Sequence, residues 1–306
     1  MLKLIHRTGD NNLATVHVMQ MPDGSQIECV ESVQPPVPRE EKWVLIVSTL
    51  KGCPINCPIC DAGGSYRGKV SAEDLMGQIA HLVRLHFPDE NPTTPKLKIQ
   101  FARMGDPAFN NAVLDVLEEL PKLYPSAGIM PSISTVAPAG CDAFFNRLPD
   151  IKNRLYPDGQ FQMQFSLHTT SEQQRRTLVP AKTWTFEQMA RYGEEFYQQG
   201  DRKITLNFAA VKGYSLNPEE LLPLFNPEFF IIKLTPVNPT HASRQAGLSG
   251  LIDPAKPEAI PGIISSFEDA GYDVILSIGE TRENDIGSNC GMYIKDLENK
   301  KNCKSA

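Results

Sequence analysis

Trp43-Val44-Leu45-Ile46-Val47-Ser48 is an apolar, strand-like run. It feeds the loop Lys51-Gly52-Cys53-Pro54-Ile55-Asn56-Cys57-Pro58-Ile59-Cys60-Asp61-Ala62-Gly63-Gly64, which carries three cysteines at C-x3-C-x2-C spacing. Three thiolates fit three corners of a cubane 4Fe-4S cluster and leave its fourth iron free to hold a second molecule. A tetrahedral zinc site wants a fourth Cys or His close by, yet Cys29, Cys141, Cys290 and Cys303 are single and distant. A thioredoxin-like reading of Cys57 and Cys60 leaves Cys53 unexplained and lacks a helix-opening context. The loop is therefore read as a cluster loop with Cys53, Cys57 and Cys60 as metal ligands.

The chain has 306 residues, 41% of them hydrophobic, which suffices for one large α/β domain with a small attachment. No apolar run approaches the length of a membrane span, and the stretch from Met1 to Arg7 has no signal-peptide core. Seven cysteines, three of them in a metal-type loop, suit a reducing compartment, so a cytoplasmic protein is expected. The net charge of −6 gives no support to RNA binding, although local basic patches permit it; Arg175-Arg176 and the lysines near the C-terminus are read as solvated surface.

Patterning divides the chain into three parts. Residues 1–40 are read as an N-terminal β-hairpin extension (strands 13–21 and 26–30 about the turn Pro22-Asp23-Gly24-Ser25) and a Pro-rich linker. Residues 41–280 alternate strand and helix: strands at 43–48, 97–101, 129–134, 161–167, 203–211, 229–234 and 273–277, and helices from Ser71 and at 112–120, 141–148, 186–199, 218–225 and 257–270. This series predicts an α/β fold, a partial (β/α)6 TIM-like barrel, with its site at the C-terminal ends of the strands. Residues 281–306 form a C-terminal segment that carries Cys290.

Chemistry-bearing residues fall at those strand ends: Arg103-Met104-Gly105-Asp106-Pro107, Ser134-Thr135, Ser166-Leu167-His168 and Asn238-Pro239. After the last strand comes Thr281-Arg282-Glu283-Asn284-Asp285-Ile286-Gly287-Ser288-Asn289-Cys290-Gly291. Gly105 allows close backbone approach, and Asp106 supplies a carboxylate that can pair with an ammonium. Together with the cysteine loop and Glu28 in Ile27-Glu28-Cys29-Val30, these residues resemble the RlmN/Cfr-type radical S-adenosylmethionine (SAM) methyltransferases. The resemblance runs from about Leu13 to Cys290. It implies a radical SAM barrel that holds a 4Fe-4S cluster and SAM, with Gly105, Asp106, Ser134, Ser166, His168 and Asn238 lining the SAM site. It also implies Cys290 as the methyl-carrying cysteine, Glu28 as the proton acceptor, and an electron donor such as flavodoxin or ferredoxin.

This sequence departs from the family in three places. Asp106 replaces a glutamate. Ile46 stands where the family has its second, resolving cysteine. Only the residues before Leu13 precede the hairpin in this sequence, so no counterpart of the family's N-terminal accessory domain is expected. The expected function is therefore radical SAM methylation of an sp2 carbon through methylated Cys290, on a substrate other than the usual rRNA or tRNA adenine. Three alternatives stay open: a non-methylating enzyme that generates the 5′-deoxyadenosyl radical, an RNA methyltransferase served by an RNA-binding partner, and a non-catalytic protein that binds cluster and SAM.

Overall fold

The computed structural model describes residues 2–33, 36–256, 260–279, 286 and 291–297. Four strands come first: β1 (Lys3–Asp10), β2 (Ala14–Gln20), β3 (Gln26–Ser32) and β4 (Lys42–Val47). The repeat then runs α1 (Ala72–Arg84), β5 (Lys96–Phe101), α2 (Ala112–Leu123), β6 (Ile129–Thr135), α3 (Asp142–Leu155) and β7 (Gln162–Ser166). It continues with α4 (Glu172–Leu178), α5 (Phe186–Phe196), β8 (Ile204–Ala209), α6 (Pro218–Leu221), β9 (Phe230–Thr235), α7 (His241–Gln245), α8 (Pro261–Asp269) and β10 (Val274–Leu276). All ten strands form one sheet in sequential order. Pairs β1 to β4 are antiparallel, and every pair from β4 to β10 is parallel. The expected α/β class is thus observed, with β1 and β10 as the two edges of the sheet.

The first strand is a finding the patterning did not anticipate. Residues 3–10 show no apolar alternation, and their side chains are mostly exposed. Pairing with β2, from Lys3 opposite Gln20 to Asp10 opposite Ala14, holds the strand in place instead. Helix α3 runs through Pro149, beyond the expected end, because Phe144, Phe145, Leu148 and Ile151 keep one buried face across it. Helix α4 was also unanticipated; Ser171 caps it, accepting from the Gln174 N–H.

The parallel strands have two unlike faces. Trp43, Leu45 and Val47 of β4, Leu97, Ile99 and Phe101 of β5, and Phe230, Ile232 and Leu234 of β9 are buried in one core. That core includes Leu75, Ile79, Leu82 and Val83 of α1 and Val113, Leu117 and Leu120 of α2. Burying each such side chain contributes about 1.5–3 kcal/mol. Parallel strands covered on both faces usually read as unbroken apolar runs. Here the alternate residues are polar: Lys98 and Gln100, Ser132 and Ser134, Gln162 and Gln164, Lys233 and Thr235. They line cavities instead of packing against protein. The sheet thus carries an apolar face toward its helices and a polar lumen on the other side.

Candidate active site

Cys53, Cys57 and Cys60 share a cavity of about 670 Å³ with residues at the C-terminal ends of β5 to β9. The loop between them is tightly wound. Asn56 adopts a left-handed backbone (φ 58°), and its Oδ1 accepts from the Gly64 N–H at 2.5 Å. The Cys60 N–H donates to the Cys57 carbonyl at 3.1 Å. Burial pushes the Cys53 thiol up to about 11 and the Cys57 thiol to about 12, so both are neutral unless a cationic centre draws off their protons. Among the described residues no three His, Cys, Asp or Glu side chains converge closely enough to hold a single metal ion. Three thiols on one cavity wall, with no fourth donor among the described residues, fit a wide cubane with one open corner better than a four-coordinate ion.

The strand-end residues named from the sequence meet in the same cavity: Gly105, Asp106, Ser134, Ser166, His168 and Asn238 all line it. Gly105 has φ +86°, and a Cβ there would lie 2.3 Å from the Leu50 side chain, so glycine alone lets this turn close against Leu50. The Asp106 carboxylate accepts from Thr135 Oγ1 (2.7 Å), the Val136 N–H (2.7 Å) and the Ala108 N–H (3.0 Å), which ties the end of β5 to the end of β6. Burial outweighs these donors and raises its carboxyl to about 6. His168, also left-handed (φ 68°), accepts from the Ala209 N–H at Nδ1 (3.1 Å), which leaves the ring proton on Nε2. Burial depresses His168 to about 3, so the ring is neutral.

Glu28 is wholly buried and does not line the cavity. Its Oε2 sits 2.5 Å from Arg103 Nη2 and accepts from the Gly291 N–H at 3.1 Å; Oε1 accepts from the Ile294 N–H at 2.8 Å. Gly291 in turn packs on the cluster loop. At φ +76°, any Cβ would lie 2.5 Å from the Ala62 nitrogen. His241 of α7 reaches Asp296 at 2.6 Å, while Asp61 of the cluster loop accepts from the His241 and Ala242 N–H groups. The segment after residue 290 is therefore fastened to β3, to the cluster loop and to α7. Cys290 itself, with Thr281, Arg282 and Asp285, lies outside the described residues.

Several site residues were not named from the sequence. Lys98, Gln100, Gln162, Gln164, Asn207 and Lys233 line the lumen. Their signal was polar alternation inside strands of a parallel sheet, where continuous apolar runs are the norm. Arg175 was read as solvated surface but is 4% exposed. It donates to the Val136 carbonyl (2.8 Å), the Ser166 carbonyl (3.2 Å) and Thr183 Oγ1 (2.7 Å), bracing the ends of β6 and β7 behind Asp106. Cys29 and Cys141 lie in the helix-side core, away from the cavity wall.

No family model matches the chain. A protein of Desulfitobacterium hafniense named "Probable dual-specificity RNA methyltransferase RlmN" is 26% identical over 281 residues, covering 90% of this chain and 74% of that one. A protein of Marinobacter nauticus named "Dual-specificity RNA methyltransferase RlmN" is 25% identical over 297 residues, covering 92% and 73%. In fold, the chain matches the crystal structure of a radical SAM methyltransferase from Sphaerobacter thermophilus with a TM-score of 0.74 at 20% identity, over 95% of this chain and 80% of that one. Among the described residues no helix is long and apolar enough to cross a membrane. Along nine-tenths of its length this chain is similar to proteins named RlmN, and it shares the fold of the Sphaerobacter thermophilus radical SAM methyltransferase.

Proposed function

We propose that the chain methylates an sp2 carbon of a substrate, with Cys290 as the methyl carrier. Cys53, Cys57 and Cys60 would hold the cluster, and Gly105, Asp106, Ser134, Ser166, His168 and Asn238 would surround SAM. When bound, cluster and SAM supply a transferable methyl group and a 5′-deoxyadenosyl radical, given one electron from a donor such as flavodoxin or ferredoxin. Asp106 offers a carboxylate for the amino group of SAM, and that cation would draw its carboxyl down from about 6. Neutral His168 contributes an Nε2 donor without adding positive charge.

The observation that carries this reading is the contact of Gly291 with Ala62, two residues past Cys60. It brings the residue bonded to Cys290 against the cluster loop. Glu28 holds this segment through the Gly291 and Ile294 N–H groups. Its carboxylate reaches a substrate proton only when one of those donors releases it.

The relatives' names point to RNA as substrate. The net charge of −6 and Ile46 in place of the resolving cysteine favour a different substrate and product-release step for this chain, in the cytoplasm. The test is anaerobic incubation of the reconstituted protein with methyl-labelled SAM and dithionite, followed by peptide mass spectrometry across Cys290. A labelled methyl on Cys290 supports the proposal. An unmodified Cys290 with 5′-deoxyadenosine released would assign radical chemistry without methyl transfer.

A further inference from the structure

Beneath the cofactor cavity, toward the N-terminal ends of the strands, the lumen continues into a second chamber of about 870 Å³. Lys98, Gln100, Gln162 and Lys233 belong to both walls, so the two spaces are continuous. The lower wall carries six cations: Lys42 and Lys96 at the starts of β4 and β5, Lys98 and Lys233 within β5 and β9, and Arg202 and Lys203 just before β8. Among the described residues of this wall the one carboxylate is Asp273, which pairs with Lys203 at 2.6 Å. The five lysines are half-buried and Arg202 is exposed, and this concentration of positive charge belongs to a protein whose net charge is −6.

Folding alone does not account for it. Lys98 donates to Gln162 Oε1 at 2.6 Å, and neither Lys98 nor Lys233 has a carboxylate partner among the described residues. Burial, reinforced by Lys233, Lys42, Lys96 and Arg202, depresses Lys98 to about 7. Burial likewise lowers Lys233. Half-buried like charges without a carboxylate partner weaken a fold, and apolar residues of similar length would pack at less cost. A cavity wall that keeps such charges is built for an anion that supplies the missing counter-charge.

We propose that this chamber binds the phosphate end of a small phosphorylated substrate, whose uncharged reacting end extends along the shared wall toward the cluster loop. The direction of the reacting end rests on the function proposed above; the anion site itself does not. Six cations around one concave, partly open chamber suit two or more phosphate charges on one small molecule. The phosphates of a nucleic acid would instead be met by a basic stripe along the surface.

The test is calorimetric titration of the 306-residue chain with sodium pyrophosphate near neutral pH, with and without reconstituted cluster. Saturable binding is expected in both forms. In a Lys98→Met/Lys233→Met variant it should weaken about tenfold or more, as expected for loss of charge-assisted hydrogen bonds. The surface variant Arg154→Met should bind as the parent does. Without anion, the lumen variant should melt at or above the parent's temperature, since it loses only half-buried charge without a carboxylate partner. Absence of pyrophosphate binding in the parent would overturn the proposal, as would unchanged affinity in the lumen variant. Binding of a ten-nucleotide RNA but not of pyrophosphate would overturn the small-molecule assignment. Failure of the cofactor reading would look different: no SAM cleavage, with pyrophosphate binding intact.

Discussion

Glu28 and Gly291 are 263 residues apart in the chain, and the Gly291 N–H donates to the Glu28 carboxylate at 3.1 Å. Arg103, from the turn after β5, completes a fully buried ion pair with the same carboxylate. One side chain thus joins the N-terminal strands, the strand ends that rim the cavity and the segment that follows Cys290.

Removing that carboxylate leaves the Arg103 guanidinium buried without its counter-ion. Glu28→Ala is expected to cost about 3–5 kcal/mol of stability, read by urea denaturation. Amide exchange at Gly291 and Ile294 should accelerate more than in the core strands. Unchanged exchange there would show that the clamp contributes nothing to holding the segment.

Gly291→Ala attacks the same docking without touching a charge. The new Cβ meets the backbone of Ala62 and Asp61 at 2.5–2.7 Å, and the positive φ adds strain. Global stability is expected to fall by about 1–3 kcal/mol. The labelled methyl on Cys290 should fall several-fold with SAM cleavage largely retained. Wild-type methylation in this variant would separate the Gly291 contact from Cys290 chemistry.

Ile46 lines the second chamber on β4, opposite Val30 of β3. Without a thiol there, a thioether between Cys290 and substrate is expected to persist. Protein purified from its native host should then show an added mass on the peptide containing Cys290, and Ile46→Cys should diminish it. A repeatedly unmodified Cys290 peptide from that host would count against the adduct.

Stability should drop in mild acid. Burial lowers His17 to about 4 and His168 to about 3, and lowers His81 as well. Between those values and 6.5 the unfolded chain binds protons that the folded chain does not, so stability present above pH 6.5 is lost as pH falls. From pH 7 to 5, His17 and His168 each remove about 2 kcal/mol. Asp106, raised to about 6, acts oppositely and returns about 1.4 kcal/mol. A net loss of about 2 kcal/mol should appear in urea melts at the two pH values. Equal melts would mean that these histidines titrate alike in both states.

Residues close in sequence, or fixed by a repeating pattern, were legible before the fold was seen. Cys53, Cys57 and Cys60 share one loop, and Gly105, Asp106, Ser134, Ser166, His168 and Asn238 follow successive strands. Parallel pairing brings all of those strand ends to one side of the sheet. The sequence alone therefore determined the cluster loop, the alternating α/β order and the rim of the cavity. Strand β1 left no such trace, because pairing with β2 forms it rather than apolar burial. Only the tertiary structure decided that Glu28 meets Gly291 and Arg103, that Arg175 lies behind Asp106, and that the lysines of β4, β5 and β9 face one chamber. A period of two says that a strand has two faces. Which face packs against helices and which encloses a lumen is set by how all the strands pair and curl together, a long-range property that no single stretch of sequence carries.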